Sequence, residues 1–244
     1  MAEDFWRVQV LGTTTSTQDM VRNLADVGEP EGLAIQAMQM TQGRGRHGNT
    51  WTSPMGNLYL SVLLRPNCNA SKAAQLAFVA AIALSDAMDQ VIDTAHHRKS
   101  LKWPNDILID GKKVSGILLE SSMAANGHIE YLVLGTGVNI FAPPEGAAGL
   151  DEIKAQPIFV NKFRDLYLER LLAHYRAWQD KGFALVREAW LKQAHGLGED
   201  MSIRLPEITY KGTFKGIDES GALQAEVDGT VRSFTAGEVH FGVK

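Results

Sequence analysis

The 244-residue sequence has one cysteine, Cys68, so it can form no internal disulfide and no zinc site built on several cysteines. That scarcity fits a reducing compartment, and cytoplasmic is the expected location. Long apolar runs are missing as well. The most apolar stretch, Ala73 to Leu84, is interrupted by Gln75 and bounded by Lys72 and Asp86. It is far short of the ~20 residues that cross a bilayer. Met1-Ala2-Glu3-Asp4-Phe5-Trp6 lacks the basic start and apolar core of a secretory leader. Neither charge dominates: 24 basic against 28 acidic side chains give −4, which argues against gripping nucleic acid as the main task. The histidines do not cluster at metal-ligand spacing, and no repeat stands out. What remains, 45% hydrophobic and 21% charged, is ample material for one soluble domain and a small appendage.

The periodicities predict a mixed α+β domain. A strand is expected around Phe5 to Leu11, then a helix starting at Ser16-Thr17-Gln18-Asp19, with Met20, Leu24 and Val27 at helical spacing until Gly28. Leu33 to Met38 and Leu58 to Leu64 read as strands. A long helix is expected from Ser71 to about Val91. Ile107-Leu108-Ile109 and Val114 to Leu119 flank Asp110-Gly111, a strong hairpin signal. Ile129 to Ile140 is a strand containing Gly135 and Gly137, which signal a bulge or a close approach by a ligand. Helices follow over Val160 to Trp178 and Phe183 to Ala194. From Gly196 the texture changes to short alternating segments with turns at Ser220-Gly221 and Asp228-Gly229. The expected organisation is a domain over 1–195 and a β module over 196–244, too small to fold well alone and therefore docked on the first.

Three constellations could carry chemistry. Gln42-Gly43-Arg44-Gly45-Arg46-His47-Gly48-Asn49-Thr50-Trp51 combines glycines that admit a ligand to the backbone, two guanidinium forks suited to carboxylate or phosphate, and an aromatic face. It is no Walker loop, for the Gly-Lys-Ser/Thr ending is missing. By itself it is equally a solvated basic turn or an RNA-binding patch. Lys102-Trp103-Pro104-Asn105-Asp106 and Lys113-Val114-Ser115-Gly116 place lysines and a carboxylate near a hairpin, where they could meet phosphate, Mg²⁺ or an amine, or form a plain surface ion pair. His96-His97-Arg98-Lys99 and Lys112 read as solvated turn residues. Gly135-Thr136-Gly137-Val138-Asn139 is either a core strand or a place where Asn139 reads a base edge.

Taken together with Ser16-Thr17-Gln18, these blocks resemble, in order, the signature blocks of biotin–protein ligases. The similarity covers Phe5 to about Ile140 in strong motifs and continues into the β module, which looks like the family's SH3-like β-barrel. The resemblance implies a class II synthetase-like α+β fold, a mixed sheet packed with helices. It also implies ATP-dependent formation of biotinyl-5′-AMP and transfer of biotin to a lysine of a biotin carboxyl carrier domain, that of acetyl-CoA carboxylase or another biotin-dependent carboxylase.

Position by position, the resemblance implies a biotin site at Ser16, Thr17, Gln18, Gln39, Met40, Gly43, Arg44, Lys113 and Gly116. It implies an ATP site at Arg46, His47, Gly48, Trp51, Asn105, Lys113 and Asn139. Catalysis is carried to Arg44, Arg46, Lys102, Asp106 and Lys113, with Mg²⁺ at Asp106. Met40 departs from the family's usual glutamine, Gln18 from its asparagine, and Asn49 from a further arginine, which implies faster loss of the adenylate. A lipoate or octanoyl transferase is the rival enzyme, disfavoured by the Lys-Trp-Pro-Asn-Asp block and the β module. A DNA-binding helix-turn-helix ahead of the catalytic pattern has no room here, so no DNA partner is expected. No membrane partner is expected, and the assembly is a monomer or homodimer.

Overall fold

The computed structural model describes residues 5–242. A seven-stranded sheet in the order β1-β2-β3-β7-β6-β5-β4 forms the main layer. Its strands are β1 (Arg7–Thr14), β2 (Leu33–Met40), β3 (Leu58–Leu64), β4 (Lys99–Lys102), β5 (Asp106–Ile109), β6 (Lys112–Met123) and β7 (Ile129–Val138). Only β1 and β2 are parallel; all other neighbours run antiparallel. The β5–β6 hairpin turns on Asp110 and Gly111 with φ of 51° and 77°, the left-handed pair that a two-residue loop requires.

Both faces of the sheet are covered, and strand alternation decides which side chain goes where. Leu33 and Ile35 of β2, Leu63 of β3 and Val133 of β7 meet Val21 and Ala25 of helix α1 (Thr17–Asp26). Residues of the opposite parity, Ala34, Leu60, Val62, Leu132 and Leu134, join the larger core. That core is made with α3 (Leu76–Met88) and α4 (Val160–Lys181), the latter burying Phe163, Tyr167, Leu171 and Tyr175 at helical spacing. The helix expected from Ser71 to Val91 is divided. A short α2 (Ala70–Ala74), capped by Asn69, breaks at Gln75, and α3 ends at Met88. The side chain of Gln75 explains the break. It bonds the Trp178 indole at 2.9 Å and the Glu219 carbonyl at 3.0 Å, tying three elements together.

The module begins after α5 (Ala184–Leu191). Strands β8 (Asp200–Arg204), β9 (Thr209–Ile217), β10 (Leu223–Val227), β11 (Thr230–Phe234) and β12 (Glu238–Phe241) form an antiparallel sheet in the order β11-β10-β9-β8-β12. It docks through rings and carbonyls. Phe214 packs edge-on to Trp190, and Phe78 lies against Gly221. The Trp103 indole donates to the Gly221 carbonyl at 3.1 Å, and Arg187 to the Ile217 carbonyl at 2.7 Å. The core is continuous across the junction. Two strands escaped the pattern analysis: β4, where the His96–Lys99 run was expected to be a turn, and the terminal β12. Lys99 turns inward in β4, its amine bonding the Ser85 carbonyl and pairing with Asp89 at 2.5 Å. No described helix is long and apolar enough to cross a membrane.

A candidate ligand cavity between the sheet and the C-terminal module

A cavity of about 290 Å³ opens on the α1 side of the sheet, at the N-terminal end of that helix. Glycines make its floor possible. Register places Gly137 of β7 between Gly116 of β6 and Tyr59 of β3, and Gly135 between Leu118 and Ser61. The ladder is regular here, with its bulge at Ser122/Met123, so the two glycines mark a close approach and not a bulge. The Gln18 side chain approaches Gly135, where a Cβ would lie 2.7 Å from its Oε1, and the Trp51 indole approaches Gly137. A Cβ on Gly137 would lie 2.5 Å from that ring, and one on Gly116 would lie 2.9 Å from it.

The inner end is polar. Ser16 caps α1 by accepting from the Asp19 amide at 3.3 Å, which turns the first residues of the helix toward the cavity. Thr17 Oγ1 lies 2.8 Å from Ser61 Oγ and 3.6 Å from Met40 Sδ. Gln18 donates to Glu120 at 3.1 Å, while its Oε1 is buried with no partner, as is Trp51 Nε1. Buried polar atoms in that condition are costly unless a ligand satisfies them.

The outer end is cationic. Lys113 Nζ pairs with Asp106 Oδ1 at 2.6 Å and stands 5.4 Å from the centre of the Trp51 ring. Asp106 therefore has a lysine partner already, and it is Lys113, not Lys102. Burial pulls down the pKa of Lys102; Asp106 opposes the shift and the Lys113 charge adds to it. Burial likewise lowers Arg46, against the field of Asp106 and Glu238. Asn105 bonds Ile117 through both its side chain and its carbonyl, fixing the turn that presents this cluster.

The loop between β2 and β3 covers the cavity. It folds on itself through Trp51 N to the Gly43 carbonyl at 2.9 Å and Gly45 N to the Asn49 carbonyl at 2.7 Å. Arg44 then reaches across to Asp19 with two bonds, 2.6 and 2.8 Å, and to Glu120 at 3.4 Å. That bidentate bond holds the Asp19 carboxyl below its ordinary range and raises Arg44 in turn. Arg44 thus latches the loop to α1 and β6.

Most of the residues singled out from the sequence line this one cavity: Ser16, Thr17, Gln18, Met40, Arg44, Arg46, His47, Trp51, Lys102, Asn105, Asp106, Lys113 and Gly116. Gln39, Gly43, Gly48 and Asn139 do not. Gln39 is taken up by the neighbouring strand β1, its Oε1 accepting from Thr13 Oγ1 at 3.4 Å. Gly43 is packed under the loop, where a Cβ would meet the Trp51 carbonyl at 2.4 Å. Gly48 serves the turn, with φ of 77°. Asn139 is buried behind the end of β7, its backbone bonded to Val114 and Leu150. As for a metal, the described residues contain no group of three or more His, Cys, Asp or Glu side chains placed to hold one. The residues present do not fit a resident ion. A lone carboxylate fits only Mg²⁺ carried in on phosphates.

Residues 10–139 match the model of the biotin/lipoate A/B protein ligase family, and residues 196–242 match the biotin protein ligase C-terminal domain. The chain belongs to this family. A biotin–[acetyl-CoA-carboxylase] ligase of Paracoccus denitrificans is 37% identical over 243 residues, covering 96% of this chain and all of the relative. A bifunctional ligase/repressor of Escherichia coli is 29% identical, over 95% of this chain and 73% of its own length. Among solved structures, a biotin protein ligase of Aquifex aeolicus in complex with biotin and ATP superposes with a TM-score of 0.81 at 28% identity, covering 96% of this chain and 97% of that one. Membership explains why one cavity collects the five sequence blocks. It also draws attention to residues those blocks did not include: Tyr59 and Ser61 of β3, and Gly237, Glu238, Val239 and His240 around β12. Alternation along β3, which puts Tyr59 and Ser61 on one face, is the signal that could have found the first two. Nothing local marks β12, whose place depends on docking of the module.

Proposed function

We infer that the protein is an ATP-dependent biotin–protein ligase. It joins the biotin carboxylate to AMP and then passes the biotinyl group to a lysine of a biotin carboxyl carrier domain. The observation that carries this reading is the polarity of the cavity: neutral hydrogen-bonding groups at one end, three cations (Arg46, Lys102, Lys113) at the other. Biotin has the matching asymmetry, a neutral ureido ring and a distant carboxylate. The ring would sit toward Ser16, Thr17 and Gln18, where the unpartnered Gln18 oxygen accepts an N–H. The carboxylate would then lie near Lys113.

In the first step a carboxylate oxygen bonds to the α-phosphorus of ATP, the bond from that phosphorus to the bridging oxygen breaks, and pyrophosphate leaves. Two anions must meet, so the chain's contribution is positioning and charge. Lys113, Arg46 and Lys102 converge on that place without needing to bring in protons. If Mg²⁺ were carried in on the nucleotide phosphates it would add charge neutralisation, with Asp106 the carboxylate on this wall to hold it. The loop latched by Arg44 keeps water from the mixed anhydride. In the second step a lysine amine bonds to the acyl carbon and gives up a proton to solvent, the acyl carbon–oxygen bond of the anhydride breaks and AMP leaves. No covalent enzyme intermediate is required.

The C-terminal family match favours biotin over lipoate as the acid. We place the boundary between catalytic domain and module at residues 195/196, the carrier domain in a biotin-dependent carboxylase, and the protein in the cytoplasm. Biotin-dependent ATP–pyrophosphate exchange tests the central claim. Exchange with biotin and little with lipoate is expected. Folded protein that shows none with biotin would overturn it.

A further inference from the structure

Among the described residues two carboxylates line the cavity, Asp106 and Glu238. Asp106 already has a cation at 2.6 Å. Glu238 has none from lysine or arginine within 4 Å among the described residues; His240 Nε2 is 3.9 Å away, and Arg46 and Lys102 feel the Glu238 charge from farther off. Its position is set by the backbone. Gly237 has φ of 137°, and a Cβ there would sit 3.1 Å from Leu205 and 3.2 Å from the Arg204 carbonyl, so the chain enters β12 in one direction. β12 is an edge strand paired only with β8. Its alternation sends Val239 into the core, leaving Glu238 and His240 on the other face, at the cavity.

The established half of the chemistry creates a difficulty that this geometry meets. Two anions are drawn into a cavity whose wall is Arg46, Lys102 and Lys113. The acceptor in the second step is a lysine, which arrives as a cation. The same wall that stabilises adenylation repels it. We propose that Glu238, at the outer rim and on the C-terminal module, is the counter-charge that receives the carrier's lysine ammonium and sets it beside the anhydride. The two half-reactions then use different carboxylates: Asp106 stays with Lys113, and Glu238 serves the amine. On delivery the ammonium loses one proton to solvent before it bonds to the acyl carbon and a second afterwards. The acyl–oxygen bond breaks, and AMP leaves with the extra negative charge. This inference rests on the ligase reading and adds to it a residue for recognition of the acceptor.

The experiment is single-turnover transfer from biotinyl-adenylate already formed on the enzyme. One arm offers a biotin carboxyl carrier domain; the other offers hydroxylamine, which is uncharged at neutral pH. The quantity read is the ratio of the two rates, so a general loss of folding cancels. With the Glu238 side chain 41% exposed, a solvent-screened ion pair is expected to carry about a fivefold effect. Glu238→Gln should lower the carrier-to-hydroxylamine ratio by about that factor, Glu238→Lys should lower it further, and Glu238→Asp should recover part of it. An unchanged ratio overturns the proposal, whether both rates hold or both fall. So does an ATP KM that rises while the ratio holds, since that would assign Glu238 to the nucleotide. If the native protein forms no biotinyl-adenylate, the ligase reading fails first, and the result is distinguishable from a failure at Glu238 alone.

Discussion

On the floor of the cavity Gly116, Gly135 and Gly137 are held by ladder bonds on both sides, and their places follow from strand register alone. Above it, residues 42–51 are held by a few backbone bonds, by Arg44 reaching Asp19 and Glu120, and by the Trp51 ring laid against Gly137 and Gly116. The two walls do different work. The floor must hold its shape, because the Trp51 ring and Gln18 pack on it; the loop must open, because it covers the cavity that a ligand has to enter. A regular sheet meets the first need, and the absence of any strand or long helix in 42–51 meets the second. If this division holds, substitutions on the floor and its cationic edge abolish chemistry, whereas substitutions in the latch change lifetimes.

The largest effect belongs to Lys113, on β6 at the edge of the floor. Lys113→Ala removes the charge nearest the expected anhydride and leaves Asp106 as an unpaired anion in its place. Exchange should fall by about three orders of magnitude with little change in thermal stability. Near-native exchange in this variant would remove Lys113 from the mechanism. Next comes Gly137→Val, which puts a branched side chain where a first Cβ already lies 2.5 Å from the Trp51 ring. The ring can only lift, and the wall it gives the cavity is spoiled. Biotin affinity is expected to drop about a hundredfold by calorimetry, more than for any substitution confined to 42–51. A loop variant that costs more would break the comparison.

The latch gives smaller and different changes. Asp19→Asn keeps the shape of the side chain but loses the charge that Arg44 grips. Release or hydrolysis of bound biotinyl-adenylate should quicken about fivefold, with the exchange rate changing less. Acid should mimic this substitution. The Asp19 carboxyl is held below its ordinary value, mainly by the Arg44 bond, so its contribution to closure is fully present above the unfolded value of about 3.9. It is lost only as pH falls through the lower, folded value. Adenylate lifetime limited by the latch should thus be flat from neutral pH down to about 4 and shorten below it. A shortening that begins between pH 5 and 7 would point to another group.

How much of this was legible from residues alone follows the same division. The Asp110-Gly111 hairpin, the Ser16 cap and the glycine–arginine loop are written in local chemistry, and each stands where its residues implied. Gly135 and Gly137 were ambiguous between bulge and close approach until register placed both on the face of the sheet next to α1. Gln39 and Met40 show how little a sequence block can resolve inside itself, since Gln39 is taken up by Thr13 of the neighbouring strand and only Met40 reaches the cavity. Asn139 has the right chemistry for a base edge but is buried behind β7. Glu238 is the converse case. It sits in a segment with no motif, and long-range docking through Trp103, Phe78 and Arg187 brings it to the rim. Contacts of that kind leave no periodic trace.

The smallest expected effect lies at Asn49, and it isolates the loop from the floor most cleanly. Asn49 lines the cavity, but its backbone carbonyl and amide are spent on Gly45 and Arg46, so the loop's fold does not depend on its side chain. Asn49→Arg would add a third guanidinium to those of Arg44 and Arg46 without disturbing the floor. An added charge at a largely exposed loop position is worth little against free phosphate, so exchange should scarcely change. It acts longest on a ligand that is already enclosed, so dissociation of biotinyl-adenylate should slow about threefold, read by chasing bound adenylate with excess biotin and ATP. Slower release at a constant exchange rate would show that lifetime is set in the loop. Unchanged or faster release would mean that Arg44 alone closes the site, and that residue 49 is free to vary because nothing rests on it.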